Sequence, residues 1–160
     1  MAVPLSVLAR EPASVTVGTN STMILPPTQP DTYTEWATGV TYTAEAIVKS
    51  GERFYWCVTA GTSTNDVTGG PSHTDGDASE GTVTWRYVHP SRDLVSLYNA
   101  GAVAIAIGYD DAAVAGKGEV VAASGGTLVK GDGRLRPSQK AIYAIVDSGT
   151  NSVSLRIQEE

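Results

Sequence analysis

The chain has a single cysteine, Cys57, so no disulfide can close within it. Histidine is nearly as scarce: His73 and His89 are the only two, which leaves few bases to activate a nucleophile. Cys57 stands in the run Phe54-Tyr55-Trp56-Cys57-Val58 and reads as a small apolar core residue. Cations are also in the minority, with 11 Lys and Arg against 17 Asp and Glu and a net charge of −6. Neutralising a phosphate backbone needs clustered Lys and Arg, so no nucleic-acid partner is expected. No apolar run approaches the roughly 20 residues that span a bilayer, so no membrane partner is expected either. The start of the chain lacks the basic stretch, apolar stretch and cleavage site of a signal peptide. We therefore expect synthesis and folding in a reducing cytoplasm.

The motifs of common enzymes are missing as well. There is no Gly-x-Ser-x-Gly elbow, no His-Glu-x-x-His and no Cys-x-x-Cys. Gly116-Lys117-Gly118 lacks the glycine spacing and the Lys-Ser/Thr pair of a phosphate loop. Asp110 and Asp111 are adjacent and on a strand would face opposite ways, which rules against an acid/base dyad. His73 lies in Pro71-Ser72-His73-Thr74-Asp75-Gly76-Asp77, where several side chains offer metal ligands. The segment has no Glu at the bidentate position of a calcium loop, so a polar turn is the preferred reading. The expectation is a non-enzymatic chain with no catalytic residues, no metal and no cofactor.

What the chain does contain is 41% hydrophobic residues, 17 glycines and abundant Ala, Val, Ser and Thr. That composition suits short strands joined by tight turns and is sufficient to bury a core. Val15 and Val17 alternate with Thr16, Gly18-Thr19-Asn20 makes a turn, and Met23-Ile24-Leu25 runs into Pro26-Pro27. Two short strands around a tight turn are expected there. Residues 31–88 have a different texture, holding Trp36, Trp56, Trp85, Phe54 and four of the seven tyrosines. Expected strands in this stretch are Thr41-Tyr42-Thr43, Ala46-Ile47-Val48, Arg53 to Thr59 and Thr82 to Val88, with a long polar loop over 61–81. Beyond His89-Pro90 the aliphatic texture returns. Leu94, Val95 and Leu97 precede a turn at Tyr98-Asn99-Ala100-Gly101, and Val103 to Ile107 reads as a strand buried on both faces. Further turns are expected at Gly116-Lys117-Gly118, Gly125-Gly126 and Gly131-Asp132-Gly133. Ala141 to Val146 and Val153 to Ile157 form the last strands, and Ala112 to Ala115 has room for one helical turn.

The expected fold is all-β, a β-sandwich or small barrel assembled from two chain segments. An N-terminal arm occupies 1–13, the discontinuous sandwich 14–30 and 89–160, and a small aromatic-rich β module, 31–88, is inserted between them. Insertion is tolerated at exposed loop tips when the ends of the inserted unit lie close together.

Several segments together resemble a pattern found in small virion proteins of tailed bacteriophages. They are Ser14-Val15-Thr16-Val17-Gly18-Thr19, Met23-Ile24-Leu25-Pro26, Arg92-Asp93-Leu94-Val95-Ser96-Leu97-Tyr98-Asn99 and Ile105-Ala106-Ile107-Gly108. The pattern continues through Ala115-Gly116-Lys117-Gly118, Gly125-Gly126, Ala141-Ile142-Tyr143-Ala144-Ile145, Ser148-Gly149-Thr150 and Val153-Ser154-Leu155, to the acidic end Glu159-Glu160. This resemblance spreads over about half the chain in many weak positions. It implies a head decoration protein that binds the major capsid protein on the virion's outer surface as a small homo-oligomer, a dimer or trimer; a collar or tail joint component is the alternative. The candidate capsid or subunit contacts are Val3, Leu5, Val7 and Leu8 in the arm, with Tyr98 and Tyr143.

The insert resembles a second pattern, through Trp36, Gly39, Val40-Thr41-Tyr42, Ile47-Val48, Gly51, Phe54-Tyr55, Gly61-Thr62-Ser63, Pro71 and Gly81-Thr82-Val83-Thr84-Trp85. Such modules recur in phage tail and head proteins, and the order is also similar to small chitin- and cellulose-binding modules. The polar stretch before Trp85 is longer here than in that pattern. The resemblance implies an alternative role as an adhesin for surface glycans, with Trp36, Tyr42 and Trp85 as candidate stacking residues.

Overall fold

The computed structural model describes residues 13–66, 69–110, 113, 115–131, 138–149 and 152–159. Among them the chain is all-β. The first segment supplies β1 (Ala13–Val17) and β2 (Thr22–Leu25). The middle supplies β3 (Thr34–Glu35), β4 (Thr41–Tyr42), β5 (Ile47–Ser50), β6 (Arg53–Thr59), β7 (Gly61–Thr62), β8 (Asp77–Glu80) and β9 (Val83–Val88). The last segment supplies β10 (Val95–Asn99), β11 (Ile105–Tyr109), β12 (Glu119–Val121), β13 (Gly126–Lys130), β14 (Ile142–Val146) and β15 (Val153–Glu159).

Two four-stranded sheets, β1-β15-β10-β13 and β12-β11-β14-β2, take strands only from the two ends of the chain. Their strands alternate, and the inward residues of both sheets meet in one core. Val17, Leu97 and Leu155 enter it from the first sheet and Ile24, Ile107 and Ala144 from the second. That is a β-sandwich; both sheets are open, so the barrel form is set aside. The middle segment makes its own sheet, β3-β5-β6-β9-β8, with a separate β4-β7 pair. A second core of Tyr42, Val48, Tyr55, Cys57, Val83 and Trp85 lies there.

Several expectations are corrected. The two strands expected in Ser14 to Leu25 are present as β1 and β2, but they do not pair with each other: β1 pairs with β15 and β2 with β14, in opposite sheets. The turn carries the chain across the sandwich, so both strands point apolar residues into one core, and the Gly18 carbonyl accepts the Val146 N–H at 2.9 Å. The 61–81 stretch contains β7 and β8 rather than loop alone. Its polarity reflects an edge strand: Asp77 and Ser79 of β8 are exposed while Ala78 pairs with Trp85. The turn expected at Tyr98-Asn99 begins later, since β10 runs through Asn99. Asn99 is buried, and its Nδ2 donates to the Val103, Val121 and Ala122 carbonyls, so a polar residue ends the strand by holding the following turn. Strands β12 and β13 were not anticipated. Both are sheet edges, and Gly126 begins β13 rather than lying in the turn. The arm through residue 12, with Val3, Leu5, Val7 and Leu8, lies outside the described residues. So do Ala112 of the suggested helical turn and Asp132-Gly133 of the suggested glycine turn.

The two ends of the middle segment are tied together by Arg92, whose side chain is 1% exposed. Its Nη2 donates to the Pro26 carbonyl at 2.7 Å, joining the point where the chain leaves the sandwich to the point where it returns. Nη1 donates to the Ser138 and Lys140 carbonyls at 2.5 and 3.1 Å, and Nε pairs with Glu159 at 2.7 Å. Gln139 completes the clamp by bonding the Arg92 backbone in both directions. A second tie is the Glu45 carboxylate, which accepts the Met23 N–H of edge strand β2 at 3.2 Å.

Candidate functional site

Alternation along the strands defines the outer face of β1-β15-β10-β13. Register sets Thr127, Tyr98, Arg156 and Ser14 in one row across it, with Val129, Ser96 and Gln158 in the next. Thr16 and Ser154 pair alongside. Short hydroxyl side chains leave this face flat. Tyr98 stands out at 38% exposed and Val129 at 47%. The Arg156 guanidinium lies over the Tyr98 ring, 5.9 Å from its centroid. Ser96, Tyr98, Arg156, Ile157 and Gln158 line a shallow depression of about 290 Å³. None of these outward positions carries a carboxylate.

Tyr143 does not join this face. It projects from the outer side of the other sheet, paired with Gly108 and Met23, and is half-buried. There it lines the cleft of about 720 Å³ between sandwich and insert, with Met23, Ile47, Pro90 and Asp110. The two candidate tyrosines therefore belong to opposite sides of the sandwich. Being on strands of different sheets, their shared chemistry in the sequence carried no information about proximity.

The structure brings Trp36, Tyr42 and Trp85 together, but not as an exposed row. Trp85 is fully buried and Tyr42 is 7% exposed, and their rings meet edge to face at 5.0 Å. So small a unit needs its largest rings for its own core. Glu80 fixes the cluster: its Oε2 accepts both the Trp36 and Trp85 indole N–H groups, at 3.1 and 3.2 Å, while Oε1 accepts the Thr64 N–H. Trp36 alone reaches the surface. It lines a groove of about 580 Å³ with Ser50, Glu52, Arg53, Gly70 and Ser72. A Cβ on Gly70 would stand 3.1 Å from the Trp36 ring, so that glycine is what lets the loop close over the indole.

Both histidines sit on one tyrosine pair. His73 packs against Tyr55 at 5.1 Å, His89 against Tyr87 at 4.6 Å, and the two tyrosines are 5.9 Å apart. The Tyr55 hydroxyl donates to the His73 carbonyl, so the Pro71–Asp77 segment is tied to β6. Among the described residues no three metal-ligating side chains converge. Burial pushes the Cys57 thiol up, which disfavours a thiolate. Asp110 pairs with Lys140, and Asp111 lies outside the described residues. On the open flank of the sandwich, Glu119 accepts from both the Tyr109 hydroxyl and Lys130. Burial raises its carboxyl, but the Lys130 and Tyr109 hydrogen bonds outweigh it and hold the group below its ordinary range. Burial, reinforced by Glu119, pushes the Tyr109 phenol well up.

Arg156, Glu80 and Arg92 were missed as key residues. For Arg156 a signal existed: in Val153-Ser154-Leu155-Arg156-Ile157 the alternation places it opposite the apolar residues. No family model and no curated protein matches this chain. No helix among the described residues is long and apolar enough to cross a membrane.

Proposed function

We propose that this chain is a decoration protein of a tailed-bacteriophage head, binding the outer surface of the capsid shell as a small homo-oligomer. The observation that carries the reading is the flat outer face of β1-β15-β10-β13, which no strand among the described residues pairs over, with Tyr98 exposed at its centre. It adds to the resemblance that runs through β1, β2, β10, β11, β14 and β15. A stiff sandwich with a broad face is suited to lie across neighbouring capsid subunits, while the clamped insert projects from another side. Burying surface against the assembled shell and not against free subunits stabilises the shell by mass action. No chemical step is required of the chain.

The test is to mix the purified protein with undecorated, expanded capsids from the same genome, image the particles and record their melting. Regular density over the surface with a raised melting temperature is the expected result. Density confined to the neck would replace this reading with a collar or tail joint role, and no binding would end it.

The adhesin reading survives only in reduced form. Trp36 lines an open groove beside Arg53 and Glu52, which favours a single stacked sugar over a platform of three rings. Glycan-array binding lost on Trp36→Ala, in a variant that still folds, would move that reading to the front.

A further inference from the structure

We infer that Arg156 is the charge-reading centre of the docking face: a carboxylate of the shell protein pairs with its guanidinium, against the Tyr98 ring. This rests on the decoration reading above. The chain carries 17 acidic residues against 11 basic ones, so a random patch of its surface repels an acidic partner. The outer face of β1-β15-β10-β13 departs from that average, with a central cation and no anion at its outward positions. Arg156 has no carboxylate across the strand on this face: its register neighbours are Tyr98 and Ser14. The Tyr98 ring lies under the guanidinium at 5.9 Å in cation–π contact, and Arg156 is exposed on this face. Ser96 borders the same depression and offers its hydroxyl to a second carboxylate oxygen or to backbone.

A second copy of the chain is a poorer occupant of this face. A two-fold contact centred here brings Arg156 against Arg156 with no carboxylate on either side to separate them. An acidic or carboxylate-bearing strand or loop of the shell satisfies the same group without that repulsion.

The experiment measures binding to undecorated, expanded capsids at low and moderate salt for wild type, Arg156→Glu, Arg156→Lys and Lys117→Glu. Lys117 is exposed in the turn between β11 and β12, so Lys117→Glu makes the same change in net charge away from this face. Arg156→Glu is expected to weaken binding about 100-fold and Arg156→Lys about 10-fold, while Lys117→Glu stays within about threefold. Salt should weaken wild-type binding more than that of Arg156→Glu. Equal losses for Arg156→Glu and Lys117→Glu, with wild type bound, would overturn the inference and leave decoration standing. A change in subunit assembly in Arg156→Glu, with shell binding intact, would overturn it in favour of a self-interface. Failure of wild type to bind any shell would remove the decoration reading itself, and this inference with it. Far-UV spectra and melting of each variant confirm the fold; Arg156 is exposed, so none of the substitutions opens the core.

Discussion

Replacing Arg92 with alanine should do more damage than any other single change of a charged residue. The guanidinium is 1% exposed and makes four hydrogen bonds to protein, three of them to the Pro26, Ser138 and Lys140 carbonyls and one to Glu159. Removing it takes the Nε donor from Glu159, itself only 15% exposed, and leaves the buried Pro26 carbonyl without its guanidinium donor. Breaking a buried pair by deleting one partner costs about 3–5 kcal/mol. In a protein of this size that corresponds to a fall in melting temperature of about 10 °C. Arg92→Lys should recover only part of the loss, because an ammonium cannot span Pro26, Ser138 and Glu159 at once. The assay is thermal and urea unfolding followed by far-UV circular dichroism and by tryptophan fluorescence. All three tryptophans lie between residues 31 and 88, so fluorescence reports the insert while circular dichroism reports the whole chain. The clamp belongs to the sandwich, so the Arg92→Ala transition should move further by circular dichroism than by fluorescence. A shift below about 1 kcal/mol would refute the reasoning, since it would mean the guanidinium is solvated in the native state.

Other outcomes follow from the same geometry. Gly81→Ala places a Cβ 2.3 Å from the Thr62 carbonyl at a φ of +66° and should cost about 3 kcal/mol, whereas Gly51→Ala, at a φ of +61° in open space, should cost about 1 kcal/mol by urea unfolding. Leu97→Ala should cost about 2–5 kcal/mol by the same measurement, while Val129→Ala, exposed on the neighbouring edge strand β13, should change stability little. The Glu119 carboxyl is held low in the folded state, so its stabilisation is present above its unfolded range and disappears as pH falls through the folded value. Glu119→Gln should therefore flatten the acid limb of a stability-against-pH curve. The Tyr109 phenol is raised, so its contribution is intact below its unfolded range and is lost as pH climbs above it; Tyr109→Phe should remove that alkaline limb.

Period-two alternation made β6, β9, β14 and β15 readable, because one buried face writes itself into every second residue. The change from aliphatic to aromatic texture at residue 31, and back after His89, was equally plain. Edge strands left a weaker trace: β8, β12 and β13 meet solvent along one side, and their Gly, Ser and charged residues resemble loop. At the candidate sites the sequence proposed Tyr98, which is exposed, together with Tyr42 and Trp85, which the module consumes as core. Aromatic identity alone cannot separate a binding ring from a packing ring, since both offer the same apolar surface.

Composition and alternation therefore determined the all-β class, the aliphatic and aromatic textures and the position of most central strands. Only the tertiary structure decided that β1 and β2 belong to opposite sheets, that Arg92 locks the chain's exit to its return, and that Arg156 stands over Tyr98. These features depend on partners between 46 and 144 residues away along the chain, from Arg92–Ser138 to Ala13–Ile157. Pairing at such distances is set by which packing fills a common core, and no local run of residues encodes it.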